Sequence, residues 1–189
     1  MKILLLCGVL LAGCRQGSAP DHKEGSGHTV LVPLAKPSEY APRVRRIVYV
    51  PVYSSLYWGV DRQTTELAAT LSIRNVSAKH AIVIHSARYY DSAGKEIREY
   101  ASAPSSLAAL ATADFVVQRR DTSGGPGANF LVDWSAAEDV DEPVIEAVMV
   151  GQHGNAGISF TSPGRTLPKA SAAFEAETGR RKDGSKRPE

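Results

Sequence analysis

The sequence contains very little cysteine. Cys7 and Cys14 are the only two in 189 residues, and both lie within the first fourteen positions. The rest of the chain has no thiol, so disulfide bonds within it and cysteine-based metal sites are excluded. We therefore expect the fold to be held by its hydrophobic core alone, without covalent cross-links.

Familiar catalytic and metal-binding spacings are also missing. The five histidines include no His-x-x-x-His pair, which argues against a zinc site. No Gly-x-Ser-x-Gly elbow is found, and the glycine-rich segment lacks the Lys-Ser/Thr ending of a phosphate-binding P-loop. We expect no enzyme activity, no cofactor, no metal and no nucleic-acid partner.

A partial likeness to the nucleophile motif of chymotrypsin-like proteases does not change that expectation. Ser123 precedes two glycines and a proline, but Thr122 separates it from Asp121, whereas the protease motif has Asp immediately before Ser. His85 is the one credible upstream base, and a triad is defined by geometry rather than by sequence. The body of the chain is also half the size that the two-barrel protease fold needs.

Long apolar runs are absent too, since the only sustained one spans residues 3–12. It is too short to cross a bilayer, and with Lys2 before it and small residues after it the pattern is typical of a secretory signal. Leu11-Ala12-Gly13-Cys14 resembles the lipobox of bacterial lipoproteins. That resemblance implies a signal peptide at 1–13 and acylation of Cys14. Because Arg15 follows rather than Asp, it also implies anchoring at the outer membrane, facing the periplasm. An ordinary secreted protein is the alternative.

The charges divide the chain into three parts. Residues 47–164 contain 8 Lys or Arg and 13 Asp or Glu, whereas residues 14–46 contain 6 and 3 and residues 165–189 contain 7 and 4. We expect a flexible tether at 14–46, one domain at 47–164 and a disordered basic tail at 165–189. The two net-positive segments, 14–46 and 165–189, suit contact with an anionic surface such as lipid head groups or wall polymers. Solvated tails also favour Lys and Arg, which is the alternative.

The central part shows short alternating runs separated by turns, and no helical periodicity. One tight turn is Asp91-Ser92-Ala93-Gly94, where Gly94 suits positive φ. The pattern predicts an all-β fold, an antiparallel β-sandwich of immunoglobulin-like architecture with seven or eight short strands. A closed barrel is the alternative. The strand-like runs are residues 47–53, 67–73, 81–90, 95–100, 115–118, 130–134, 144–150 and 158–161.

The glycine loop, residues 121–130, is the first candidate site. Three glycines and a proline within four positions give it a defined shape. Its backbone could form a nest for a carboxylate or phosphate. Alternatively, the glycines serve turn geometry only, with Asp121 and Asn129 bonding local backbone. The candidate ligand-binding residues are Asp121, Ser123, Gly124, Gly125, Gly127 and Asn129.

Two further clusters are candidate contact sites. Tyr49, Tyr53, Tyr57 and Trp58 could present an aromatic surface for sugar or protein, or form a second packing layer. The acidic turn at 138–142 has four carboxylates and could attract calcium, but it lacks EF-hand spacing and suits a solvated turn.

Six sequence blocks stand out: Tyr49-Val-Pro-Val-Tyr53, Thr70-Leu-Ser-Ile-Arg-Asn75, Tyr89-Tyr-Asp91, the glycine loop, Glu146-Ala-Val-Met-Val-Gly151 and Gly157-Ile-Ser-Phe-Thr-Ser162. Together they resemble domain-of-unknown-function family 3124, a bacterial family whose members often carry export or lipoprotein signals. The resemblance covers roughly residues 46–165 and implies no activity. The expected function is a lipid-anchored, non-enzymatic module that binds an envelope protein or wall polymer; the alternative is a small-ligand or metal-ion domain using 121–130 or 138–142.

Overall fold

The structure is a computed structural model that describes residues 30–59 and 61–170. The predictions for the signal peptide, for Cys14 and for most of the basic tail lie outside the described residues. Within the described ranges, no helix is long and apolar enough to cross a membrane.

Regular structure in the described part is almost entirely β. Two short 3₁₀ turns lie at Pro37–Glu39 and Gly125–Gly127. The strands are β1 (Val32–Pro33), β2 (Val44–Pro51), β3 (Ser55–Trp58), β4 (Gln63–Arg74), β5 (Ile82–Tyr90), β6 (Glu96–Ala101), β7 (Ser105–Leu107), β8 (Thr112–Val117), β9 (Asn129–Ala136), β10 (Val144–His153), β11 (Ala156–Pro163) and β12 (Arg165–Thr166).

The strands form two antiparallel sheets. One has seven strands in the order β1-β7-β5-β9-β2-β12, with β6 also pairing with β5. The other has five, in the order β11-β10-β4-β3, with β8 also pairing with β4. The predicted all-β sandwich is confirmed, and the sheets do not close into a barrel.

The core lies between the two sheets and follows the predicted alternation. In β2, Val48 and Val50 are buried, and in β9 Phe130, Val132 and Trp134 are buried. The inward-facing residues of β4 are fully buried as well, namely Leu67, Ala69, Leu71 and Ile73. Alternate residues of a strand point to opposite faces, so these strands each supply one continuous apolar face.

The described part has twelve strands instead of the predicted seven or eight, because the alternation pattern did not reveal four short ones. These are β1, β3, β7 and β12, which have two to four residues each. Alternation cannot be recognised over so few positions, and such strands form only by pairing with a neighbour. Their existence therefore depends on the tertiary structure.

The predicted flexible tether at 14–46 differs from the structure over its described part. Val32 pairs with Ser106 in the sheet, and Leu31 packs against the core. The N–H of Leu34 donates to the carbonyl of Pro104 at 3.0 Å. A short apolar segment thus docks the chain onto the sandwich well before the predicted boundary. At the other boundary, residues 165–166 pair with β2 instead of starting a free tail.

The sandwich has two ends, which we call the loop end and the tether end. The glycine loop, the turn after β5 and the turn after β3 lie at the loop end, where Asn129 is opposite both Pro51 and Tyr90. The described chain begins at the tether end, beside the acidic turn. Since β9 runs between the ends with eight residues, they are roughly 25 Å apart.

Candidate functional site

The backbone donors of the glycine loop are used by two serines from neighbouring segments. The N–H of Gly125 donates to Ser54 Oγ at 2.8 Å, and the N–H of Gly127 donates to Ser92 Oγ at 2.9 Å. Ser92 in turn donates its hydroxyl to the carbonyl of Gly124 at 2.9 Å. These donors are engaged within the protein, so the geometry favours the structural interpretation of the loop over a ligand nest.

Two of the loop glycines are required for different reasons. Gly125 has φ +73°, a conformation that side chains disfavour. Gly124 has φ −74°, but a Cβ there would overlap the Tyr89 hydroxyl and lie 2.7 Å from the Cβ of Ala128. Burial raises the pKa of Tyr89 to about 12, and the Ser54 hydroxyl, nearby but outside hydrogen-bond geometry, opposes the rise.

Asp121 closes the start of the loop. Its Oδ1 accepts from the backbone N–H of Ser123 at 3.2 Å and from the Ser123 hydroxyl, which is an Asx turn. Its Oδ2 lies 3.4 Å from Nη2 of Arg98 on β6. The hydroxyl of Ser123 therefore has a carboxylate partner and not a histidine base.

His85 hydrogen-bonds a different serine, on the outer face of the seven-stranded sheet. Its Nε2 lies 2.7 Å from Ser135 Oγ, and Ser135 donates to the Tyr40 hydroxyl at 3.1 Å. Burial lowers the pKa of His85 to about 4; the Arg45 guanidinium adds to the fall and the Asp133 carboxylate opposes it. Ser135 is fully buried, so a substrate could not reach its hydroxyl. The cluster holds the segment around Tyr40 on the sheet.

An ion pair beside this cluster has the geometry of a strong charge-assisted contact. Arg45 Nε donates to Asp133 Oδ1 at 2.8 Å, and Arg45 Nη2 donates to Oδ2 at 2.6 Å. Both side chains are largely buried, at 18% and 10% exposure. Two parallel bonds to one carboxylate satisfy both of its oxygens. The pair thus fixes β2 to β9 on the face away from the core.

A polar cleft of about 560 Å³ lies beside the glycine loop, where the edges of the two sheets meet. Tyr100 bridges this edge, since its hydroxyl accepts from Arg98 Nη1 at 3.0 Å and donates to the Val116 carbonyl at 3.2 Å. The Arg98 guanidinium lies over the Tyr100 ring at 5.4 Å from its centroid. The cleft is lined by Arg98, Glu99, Tyr100, Val116, Gln118, Arg120 and Asp121.

The two guanidinium groups in this cleft differ in freedom. Arg98 is held by Tyr100 and Asp121. Arg120 is exposed and makes no hydrogen bond or ion pair within the described part of the chain. Sequence reasoning found Asp121 but missed the other cleft residues, because they come from β6, from β8 and from the turn after β8, which no local pattern connects.

The four predicted aromatic residues do not form one surface. Tyr49 is half-buried on the outer face of β2, between Leu131 and Arg165. Tyr53 lies beyond the end of β2 and packs edge-on against Phe160, with ring centroids 5.7 Å apart. The cluster therefore divides into a packing part and an exposed part.

The exposed part is Tyr57 and Trp58 at the tip of the β3–β4 hairpin. They are 61% and 42% exposed, on opposite faces of β3. Trp58 stacks on His153, with ring centroids 4.4 Å apart and an interplanar angle of 25°. His153 Nδ1 lies 2.8 Å from Thr65 Oγ1. Sequence reasoning missed His153, which comes from the other hairpin.

The acidic turn does not gather its carboxylates around a common point. Glu142 Oε2 accepts from Thr166 Oγ1 at 3.1 Å, whereas Asp139 and Asp141 line a shallow cleft of about 520 Å³. Across residues 30–59 and 61–170, no three acidic, histidine or cysteine side chains are close enough to hold a metal ion. The geometry gives the calcium hypothesis no support.

Comparison with known proteins gives a family. A search of curated proteins finds no match. Among solved structures, the chain is similar to one titled "Crystal Structure of Thermotoga maritima 1070", with 12% identity, a TM-score of 0.36, and coverage of 65% of this chain and 93% of that one. The family model described as "Protein of unknown function (DUF3124)" matches residues 45–167, from β2 through β12. The chain therefore belongs to the DUF3124 family.

Proposed function

We propose that this protein is a lipid-anchored module of the bacterial envelope that binds an envelope partner and catalyses no reaction. The lipobox-like segment ending at Cys14 supports the anchor. The two serines that have an acidic or histidine partner support the absence of catalysis, because Ser123 is bound to Asp121 and Ser135 is buried. A general acid, a base and a nucleophile must converge on one accessible point, and these side chains do not.

The observation that carries the proposal is the cleft beside the glycine loop, with one fixed and one free guanidinium. Arg98 is oriented before any ligand arrives, so little side-chain entropy would be lost on binding. Guanidinium groups match carboxylate and phosphate oxygens in planar, two-bond geometry. The cleft therefore suits an anionic group on the partner.

The acidic residues near the cleft already have positive neighbours. Asp121 is paired with Arg98, whereas Glu99 lies opposite Arg88 in the β5–β6 register without an ion pair between the two described side chains. Arg120 is then the positive charge left for a ligand. The domain as a whole is acidic, so its net charge would not attract an anion. An anionic group would instead be attracted locally, by the cationic side chain of Arg120.

The location of the cleft suits a partner away from the anchor. The described chain starts at the tether end, where Leu31 shares a smaller cavity with Tyr100, and the cleft extends from Tyr100 towards the loop end. The sixteen residues from Cys14 to position 29 span at most about 55 Å when fully extended. The domain can therefore face outwards from the lipid, with the cleft presented to the wall or to neighbouring envelope proteins.

Site-specific photocrosslinking in intact cells tests the proposed partner site. A photoreactive amino acid at Gln118, in the cleft, should capture a discrete partner, and adding Arg120→Glu should remove most of that adduct. The same probe at Lys79, at the tether end, is the matched control. Equal capture from both positions, or capture indifferent to Arg120→Glu, would contradict a binding role for the cleft.

Metabolic labelling tests the anchor separately. Cells given a fatty-acid analogue should label the wild-type protein, whereas Cys14→Ser should remain unlabelled and accumulate with its signal peptide. Cys7→Ser is the matched control and should be labelled like the wild type. Equal labelling of the wild type and Cys14→Ser would show that the lipoprotein assignment is wrong. This outcome would leave the cleft experiment unaffected.

A small anion is the remaining alternative ligand. Because the glycine-loop donors contact Ser54 and Ser92, such a ligand would also occupy the cleft. Calorimetric titration with citrate and with inorganic phosphate distinguishes the cases. Saturable binding that Arg120→Glu abolishes would favour a free small anion, whereas binding only to a macromolecular partner supports the envelope module.

A further inference from the structure

We infer that Trp58 and His153 form a stacking platform for the ring of a neutral saccharide, in a second site separate from the cleft. The platform is built from the tips of two hairpins, β3–β4 and β10–β11. It depends neither on the lipid anchor nor on Arg120, so it stands apart from the proposed function.

The indole of Trp58 is held in place from one side. Its ring lies on His153 at 4.4 Å between centroids, and His153 is fixed by the 2.8 Å contact of Nδ1 with Thr65 Oγ1. Thr65 is itself buried, so the support is rigid. Trp58 remains 42% exposed despite this stack, so part of the side chain is accessible to a ligand. An oriented aromatic face loses little entropy when a flat ligand stacks on it.

Register places the platform on the inward side of the five-stranded sheet, beyond the core. Leu56 is opposite Thr65 and Trp58 is opposite Gln63, and residues directly opposite in an antiparallel pair share a face. That face is the one which carries the buried Leu67 further along β4. The five-stranded sheet therefore extends beyond the core, and Trp58 lies on the face of this extension that continues the core-facing side.

The size of the exposed surface excludes a protein interface on its own. At 42% exposure, Trp58 offers roughly 100 Å² of the 150–250 Å² that an aromatic side chain can bury. A stable protein contact needs about 800 Å² per partner. One indole face is instead of the size of a single sugar ring, whose C–H groups can stack on it.

The polarity of the surroundings points to a neutral, hydroxyl-rich ligand. The side chain opposite Trp58 is the amide of Gln63, which both donates and accepts hydrogen bonds, and the Thr65 hydroxyl contacts His153 Nδ1. The charged residues of the adjacent turn, Asp61 and Arg62, have opposite signs. A neutral amide with charges of both signs in the adjacent turn matches hydroxyl and amide groups better than it matches an acidic peptide or a phosphate head group.

Tryptophan fluorescence tests the inference, because the chain has only two tryptophans and Trp134 is 1% exposed. In Trp134→Phe, Trp58 is the sole tryptophan. Oligomers of N-acetylglucosamine, or linear glucose oligomers, should shift its emission and reduce acrylamide quenching at least about twofold. If Trp134→Phe does not fold, the wild type gives the same readout, since acrylamide reaches the exposed Trp58 and not the buried Trp134.

One variant beneath the indole and two away from it separate stacking from general effects. His153→Ala should weaken saccharide affinity about tenfold or more by removing the support. Tyr57→Ala, on the opposite face, and Arg120→Glu, in the cleft, should leave it unchanged. Unaltered quenching with every oligosaccharide would overturn the inference. So would an emission shift caused by phosphatidylglycerol vesicles instead, since that would identify a lipid surface as the ligand.

Discussion

The hydroxyl of Tyr89 occupies the space that a side chain on Gly124 would need. Tyr89 is fully buried in β5, its ring lies 4.9 Å from that of Phe130, and its hydroxyl ends against the glycine loop. The loop is therefore seated on the core by direct contact. The glycine at position 124 is therefore determined by a neighbour about 35 positions earlier in the chain and not by local turn geometry alone.

Replacing Gly124 by Ala should destabilise the domain. The added Cβ would overlap Tyr89 and crowd Ala128, and overpacking of this kind costs about 1–3 kcal/mol. Urea unfolding measures the loss. Gly157→Ala is the control, because a Cβ there meets nothing within 4 Å, and it should stay within about 0.5 kcal/mol of the wild type. Equal stability of the two variants would show that the contact with Tyr89 does not restrict which residue position 124 can accept.

Trp134→Ala should remove a large part of the core. The residue is 1% exposed and lies in the middle of β9, and truncating a buried tryptophan typically costs about 3–5 kcal/mol. The free energy of unfolding in urea is again the measurement, with the exposed Trp58→Ala as control. A loss below about 1 kcal/mol for Trp134→Ala would mean that its side chain does not pack as described.

Breaking the Arg45–Asp133 pair from one side should cost more than replacing both partners. Asp133→Ala leaves a largely buried guanidinium without its carboxylate, a loss of about 3–5 kcal/mol. The double variant Arg45→Met with Asp133→Leu removes both charges and should recover part of that loss. Equilibrium unfolding of Arg45→Met, of Asp133→Leu and of the double variant gives the coupling. Purely additive losses would contradict a direct interaction.

His85 should make the domain less stable in mild acid. Its pKa is about 4 in the folded state and near 6.5 when unfolded, so the unfolded chain takes up the proton first as the pH falls. The loss of stability caused by His85 is absent above about pH 7, grows between about pH 6.5 and 4, and is constant below about pH 4. Charged His85 would face Arg45 and Asp133, with the Tyr40 hydroxyl nearby.

Chemical denaturation at several pH values measures this effect. The wild type should lose more stability between pH 7 and 4 than His85→Gln does, since glutamine cannot be protonated there. His80→Gln, at an exposed position, is the matched control. Identical pH profiles for the wild type and His85→Gln would rule out His85 as the source.

Several features were determined by sequence patterns that are local. The alternation in β2, β4 and β9 predicted which side chains are buried, because a strand has a period of two regardless of its partners. The turn at Asp91 was also predicted, and Gly94 has φ +81°. The family was recognisable from its sequence blocks, and the family model confirms it.

Other features were decided only by the tertiary structure, because they depend on residues that are distant in sequence. Ser54 and Ser92 use the donors of the glycine loop, and His153 supports Trp58 from a different hairpin. The short strand at residues 32–33 exists only because a sheet edge pairs with it. A hydrogen bond or a ring stack needs its partner within a few ångströms, and two-residue alternation does not show which distant segments the fold brings together.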